Sequence, residues 1–350
     1  MWFFGHKSDS SNPDYLGFTH KFHREKTQKI NTKPSLKQLN QGILPCTDCG
    51  IDLNLSEYTP LSIDRCPNCG TPLFIPMHIS QFWLYEPLGG GGMGSVYHAF
   101  HEEDSDVDFA VKVLPRERKY DQYLIDSLMN EAQICWQLGE HQHLNRIVDY
   151  GKDGDEYYAV FDYIEGVRLD QIIDSPVKRP EKQLILWALQ VLAAEQHMFD
   201  KGYLFRDLKP QNIMIDKNGN VKLFDFGLAM TLDQAENNAS EQIQGSPYYI
   251  PPERIVGAGE SQHSEIYSLG MVMFHVLAKQ PYYSAEDIRS LVGKHVVALR
   301  LTNLRAKLPP TTSPALIAIL EKMIARSPEN RYITYKDLAA ELFKLYKSAA

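Results

Sequence analysis

Hydrophobic and polar positions along this chain change period several times, and each change marks an element. Val96, His98 and Phe100 alternate with Tyr97, Ala99 and His101, and after an acidic turn the run Phe109-Ala110-Val111-Lys112-Val113-Leu114 predicts a second strand. From 121 to 139 the period turns helical: Leu124, Leu128, Glu131, Cys135 and Leu138 recur at spacings of four, three, four and three, which places Glu131 on an apolar helix face. Residues 184–199 predict a strongly apolar helix stopped by Lys201-Gly202. Beyond it, Ile213-Met214-Ile215 and Val221-Lys222-Leu223 flank an Asn218-Gly219 turn and predict a hairpin. Residues 264–278 are apolar on nearly every face, the pattern of a buried helix. Residues 1–43 follow neither period and are expected to form a basic, flexible leader.

Composition narrows the class without naming a function. A chain of 350 residues, 43% apolar and 23% charged, has room for two or three compact units, which excludes a collagen, a mucin stalk or wholesale disorder. The longest nearly apolar run, Leu269 to Ala278, is interrupted by His275 and falls short of the roughly 18 residues that a membrane helix needs. The N-terminus also lacks a signal-peptide core, so a cytosolic protein with no membrane partner is expected. Net charge is −8, yet residues 1–45 hold seven Lys/Arg against three Asp/Glu, leaving −12 on the remainder. An acidic body argues against nucleic acid as the main partner, because phosphate binding draws on clustered cations.

Four of the five cysteines form Cys46-Thr-Asp-Cys49-Gly50 and Cys66-Pro-Asn-Cys69-Gly70, sixteen residues apart. A two-residue gap lets both thiolates of a knuckle face one ion, and the following glycine permits the tight turn. The spacing is that of a four-sulfur zinc site and resembles a zinc ribbon over residues 44–72. Four sulfurs leave no position for water, so the expected Zn²⁺ is structural.

Gly89-x-Gly91-x-x-Gly94 is weak evidence alone, since the same spacing marks dinucleotide sites where a strand leads into a helix. Here strands lie on both sides, so the glycines cap a hairpin whose backbone amides can cover a triphosphate. No Gly-Lys-Ser/Thr is present, which excludes a P-loop. Lys112 lies among apolar neighbours, and a cation there wants an acid; Glu131 on its apolar helix face is the matching need. Pairing the two leaves the amine able to touch phosphate.

Phe205-Arg206-Asp207-Leu208-Lys209-Pro210-Gln211-Asn212 and Asp225-Phe226-Gly227 complete the set. In order and spacing, the glycine loop, Ala110-Val111-Lys112, Glu131, Arg206-Asp207 with Asn212, Asp225-Phe226-Gly227 and Pro251-Pro252-Glu253 resemble a eukaryotic-like protein Ser/Thr kinase of the kind bacteria carry. The resemblance implies an α+β bilobal kinase fold over 80–345, with a β-rich N-lobe and a mainly helical C-lobe, joined by a linker at 73–79 to the zinc ribbon.

It further implies ATP with Mg²⁺ or Mn²⁺ as cofactors and proteins as substrates. Asp207 would orient the acceptor hydroxyl, Lys209 would mark Ser/Thr specificity, and Asn212 and Asp225 would hold the metals. Gly89, Gly91, Gly94, Val96, Ala110, Lys112, Asp162, Ile164 and Met214 would surround the nucleotide. Arg331 would pair with Glu253. Arg206 resembles an arginine that receives an activation-loop phosphate, with Thr231 and Ser240 as acceptors and Ser246 shaping the substrate site. Three positions depart from the family pattern: Phe205 where His is usual, Pro251 for Ala, and Glu265 for Asp. Readings from another class are a pseudokinase scaffold and a zinc-ribbon nucleic-acid adaptor; a ribbon that docks a protein partner fits the kinase reading.

Overall fold

The computed structural model describes residues 33–91, 94–237, 245–297 and 304–348. They divide into two compact units: the chain up to Met129 with Val148–Tyr163, and Asn130–Ile147 with the chain from Ile164 on.

The first unit is built on a six-stranded sheet in the order Met77–Ile79, Phe82–Gly91, Gly94–His101, Asp104–Val113, Glu156–Asp162, Ile147–Asp153. Alternation along these strands separates two faces. One carries Leu84, Ala99, Val111, Val113 and Val160, all buried in one cluster. Cross-strand partners share a face, so Val96 opposite Lys112, Lys112 opposite Ala159, and Ala110 opposite Phe161 lie together on the other.

The cysteine module precedes this sheet as two small antiparallel ladders, Ile43–Pro45 with Asp52–Asn54 and Ile63–Arg65 with Pro72–Phe74, each closed by one Cys-x-x-Cys turn. Gly50 and Gly70 both take positive φ, 70° and 76°, which a side chain would resist. The expected boundaries shift on either side of it. Residues 73–79 are not a linker: Phe74 ends a ribbon strand and Met77–Ile79 pairs with Phe82–Leu84 as the sheet's edge. The expected leader is ordered from residue 33, where a four-residue helix, Leu36–Leu39, buries Leu39 against Tyr85 and Phe100. A helix that short shows no periodicity, and its only apolar anchors are Leu36 and Leu39. Residues 1–32 lie outside the described residues.

The second unit is mainly helical. Gln262–Ala278 is buried on nearly all sides, as its pattern predicts, and Gly270 lies where a Cβ would meet Ile324 at 2.6 Å. Glu181–Asp200, Pro314–Met323 and Tyr335–Ser348 pack around it. A small sheet of Gly166–Arg168, Ile213–Asp216 and Val221–Leu223 carries the loop 205–212. The helix expected at 121–139 spans Gln122–Leu138 and runs from the first unit into the second.

Candidate active site

Each unit presents part of the expected site. In the first, Gly89 to Gly91 end one strand and Gly94 opens the next, forming a hairpin whose tip, 92–93, lies outside the described residues. A Cβ on Gly94 would stand 3.4 Å from Lys112 Cε, so the lysine stem runs directly beside the glycine strand. Val96, Ala110 and Lys112 share a face, and Asp162 ends the strand that pairs with Ala110 and Phe109.

In the second unit Asp207 is the hub, at 7% exposure. Its Oδ2 accepts hydrogen bonds from Lys209 Nζ at 2.7 Å and Asn212 Nδ2 at 2.8 Å, and Asn212 Nδ2 also reaches the Asp207 carbonyl at 3.0 Å. Asp207 Oδ1 is buried without a hydrogen-bond partner among the described residues. One carboxylate oxygen is thus held and the other is left to accept. The Asn212 amide spends its NH₂ on Asp207, leaving its oxygen for a cation. A Cβ on Gly227 would meet Asp225 Oδ1 at 3.6 Å and Glu131 Oε2 at 3.8 Å, so both expected carboxylates converge on this turn. The oxygens of Asp225 and Asn212 are hard donors that suit Mg²⁺ or Mn²⁺. Met214 lies half-buried between the buried Ile213 and Ile215, on the opposite face of its strand, and Ile164 opens the longer of this unit's two stretches.

Two residues here adopt left-handed backbone without being glycine, Arg206 at φ 66° and Asp225 at φ 65°. Such strain persists only where surroundings enforce it. For Arg206 the enforcing group is Glu265, whose two carboxylate oxygens accept from its backbone N at 3.1 and 3.0 Å. The glutamate that replaces the usual aspartate therefore still reaches the loop 205–212. Burial pushes Glu265 up to about 7, against the pull of Arg254.

Arg331 donates to both oxygens of Glu253, at 2.7 and 2.9 Å, as the resemblance implies. Burial opposes ionisation of Glu253, but Arg331 outweighs it and holds the carboxyl below its ordinary range. The side chain of Arg206 departs from expectation: its guanidinium is buried and bonded to Glu260, so it does not wait open for a loop phosphate. Thr231 accepts a bond from Gln234 N and caps the helix Leu232–Asn237, while Ser240 lies outside the described residues.

Phe205 and Phe226 are both 1% exposed and meet edge to face at 5.4 Å, with Cys135 buried in the same unit. Phe205 fills space, and its ring carries no group able to hydrogen-bond as an imidazole would. We expect Phe205→His to keep activity within about tenfold, while Phe205→Asp buries an unpaired charge at a cost of several kcal/mol and abolishes it. Phosphotransfer rates and melting curves on both variants check this; an active Phe205→Asp protein contradicts it.

The pattern along 184–199 does not reveal Glu195, a carboxyl 1% exposed on Glu181–Asp200 with neither oxygen hydrogen-bonded among the described residues. Burial, reinforced by Glu265, raises its pKa well above the ordinary value. The folded chain then holds a proton that the unfolded chain, with an ordinary pKa of roughly 4.3, has released. Stability is consequently lost as pH rises above that value toward the folded pKa. Glu195→Leu should raise the melting temperature by roughly 2–10 °C at neutral pH, and by more at pH 8 than at pH 6. Thermal melts across that range would show an unchanged or lower value if the acid is instead a stabilising group.

The four cysteine sulfurs lie within 4.8 Å of one another, with Cys46 to Cys69 and Cys49 to Cys66 both at 3.6 Å. A tetrahedron of zinc–sulfur bonds near 2.3 Å has edges of roughly 3.8 Å, so the four thiols are spaced for one ion. The cluster fits a zinc ribbon.

Comparison with known proteins bears on the family. The protein kinase domain family profile matches residues 82–343. Serine/threonine-protein kinase PrkC of Bacillus subtilis is 31% identical over 264 residues, 75% of this chain and 40% of the relative. Serine/threonine-protein kinase PknB of Mycolicibacterium smegmatis is 32% identical over 292 residues, 79% of this chain and 44% of the relative. PknB of Mycobacterium tuberculosis is 30% identical over 283 residues, 77% of this chain and 44% of the relative. The chain thus spans less than half the length of these curated relatives.

Proposed function

The chain belongs to the protein kinase family, and from that premise we propose that it transfers the γ-phosphate of ATP to serine and threonine hydroxyls of protein substrates. The observation that carries this reading is the Asp207 carboxylate, with Oδ2 tied to Lys209 and Asn212 and Oδ1 without a partner among the described residues. Oδ1 is the atom that receives the acceptor hydroxyl and aligns its oxygen for in-line attack. Lys209, held on Asp207, would meet the charge that develops on the transferred group. On this reading Lys112, paired with Glu131, and the amides of Gly89, Gly91 and Gly94 would hold phosphate oxygens, while Val96, Ala110 and Met214 would enclose the base and Asp162 and Ile164 would offer it backbone contacts. Asn212 and Asp225 would hold Mg²⁺ or Mn²⁺, which would supply positive charge to offset that of the phosphates.

Cys46, Cys49, Cys66 and Cys69 bind one structural Zn²⁺ on this reading, in a reducing, cytosolic setting where thiols reach metal and not each other. A protein partner docks through the ribbon. No helix among the described residues is long and apolar enough to cross a membrane. Incubating the purified chain with Mg²⁺, γ-labelled ATP and mixed casein and histone, followed by phosphoamino-acid analysis, tests the activity. Label in phosphoserine and phosphothreonine is expected; label confined to phosphotyrosine, or none, refutes the reading.

A further inference from the structure

Behind the catalytic loop the second unit buries two arginines and an acid that no motif announces. Arg206 Nε and Nη2 donate to Glu260 Oε1 at 3.1 and 2.7 Å. Arg254 Nε donates to Glu260 Oε2 at 2.7 Å, and Arg254 Nη1 donates to the Arg206 carbonyl at 2.7 Å. Both oxygens of one carboxylate therefore join two guanidinium groups, and Glu260 is 5% exposed.

The same residue is tied to the segment that follows Asp225. Glu260 N donates to the Ala235 carbonyl at 3.0 Å, and a Cβ on Gly259 would stand 2.7 Å from the Glu236 carbonyl, so the backbones touch there. Ala235 and Glu236 belong to the helix Leu232–Asn237, which follows Met230–Thr231, the strand paired with Tyr203–Leu204 at the mouth of the catalytic loop. On the far side of 238–244, Gly245 returns to the cluster: a Cβ on it would meet Arg254 Nη1 at 3.1 Å. The catalytic loop, the helix after Asp225 and the segment from Gly245 are thus gathered on one buried anion.

We propose that Glu260 is a positioning residue that supplies, as a permanent carboxylate, the negative charge Arg206 needs to hold the catalytic loop in its working conformation, so that the enzyme requires no phosphate on Arg206. The proposal rests on the kinase reading above and adds its regulation. Glu260 Oε1 already takes the Nε–Nη2 edge of Arg206, the edge an incoming phosphate would use, and both cannot occupy it. Displacing Glu260 would leave a buried acid unpaired, which a loop phosphate would have to overcome. A phosphate on Thr231 or Ser240 would then act through other groups.

The test compares wild type, Glu260→Gln and Glu260→Ala, each before and after complete dephosphorylation verified by mass spectrometry. Dephosphorylated wild type should retain activity within about threefold. Both variants should lose tenfold or more in kcat with the ATP KM changed less than about threefold, because the loop and not the nucleotide is disturbed. Added formate or inorganic phosphate, filling the space left in Glu260→Ala, should restore at least fivefold of its activity and leave Glu260→Gln and wild type unchanged. A packing role alone would show no such anion dependence. Should the alanine variant fail to fold, the phosphatase arm on wild type still decides. Wild type losing more than tenfold on dephosphorylation overturns this proposal alone, whereas wild type inactive in both arms overturns the kinase reading and the proposal with it.

Discussion

Asp207→Asn is expected to lower phosphoryl transfer by about 10²–10⁴-fold while the protein melts within a few degrees of wild type. The reason lies in how the two oxygens of Asp207 are used. Oδ2 accepts from Lys209 and Asn212, and an asparagine oxygen turned toward them keeps both bonds. Its NH₂ then takes the position of Oδ1, the buried oxygen with no partner among the described residues, and can only donate. A substrate hydroxyl meets a donor where it needs an acceptor, so the fold survives and the alignment does not. Turning the amide round would restore the acceptor but aim NH₂ at the Lys209 ammonium, which is worse. Initial rates with labelled ATP and Mg²⁺, beside a thermal melt, measure both halves of the expectation. A variant within tenfold of wild type would remove Asp207 from the chemistry.

The parts of this site that were legible in the sequence are those whose neighbours lie close along the chain or follow a strict period. Asp207, Lys209 and Asn212 lie within one loop, and Glu131 is found because it interrupts an otherwise apolar helix face. Val96, Ala110 and Lys112 share a face because strand alternation requires it. What escapes is set by contacts between distant segments. Glu260 follows Gly257-Ala258-Gly259 in a stretch that reads as an ordinary turn, and only folding brings it to Arg206, 54 positions earlier. Glu195 is hidden in the strongly apolar pattern of 184–199 until the packing of the second unit encloses it. The pairing of Arg206 with Glu260, where the motif led to the expectation of a phosphate, is hidden for the same reason. The motif specifies the arginine, whereas its occupant comes from elsewhere in the chain.

The ribbon raises the same question at the scale of a module, and Cys46→Ser gives the answer a measurable form. Two Cys-x-x-Cys turns predict a unit that folds around its own ion, and such a unit could unfold without consequence to its neighbour. The structure instead merges the two. Leu61 of the ribbon packs against the sheet cluster of Met77, Ile79, Phe82 and Leu84, while Leu55 packs against Leu39, Tyr85 and Phe100. Phe74 stacks on Tyr97 with ring centroids 5.8 Å apart, and Trp83 Nε1 donates to Asn40 Oδ1 at 3.0 Å. Lys33 reaches Asp108, whose carbonyl accepts from Tyr163 N at the end of the unit. Wild type should carry about one zinc per chain, and Cys46→Ser should lose it. Once the ladders open, the sheet loses the cover over both faces, an exposure comparable to truncating one or two buried leucines and worth about 2–5 kcal/mol. For a unit of this size the melting transition should fall by roughly 5–15 °C, and the ATP KM should rise because the glycine hairpin and Lys112 belong to the same sheet. Metal analysis, thermal melts and ATP titrations on the two proteins test this together. If Cys46→Ser loses the metal while the melting transition and ATP KM stay unchanged, the ribbon is an independent appendage and its contacts with the sheet carry no energy.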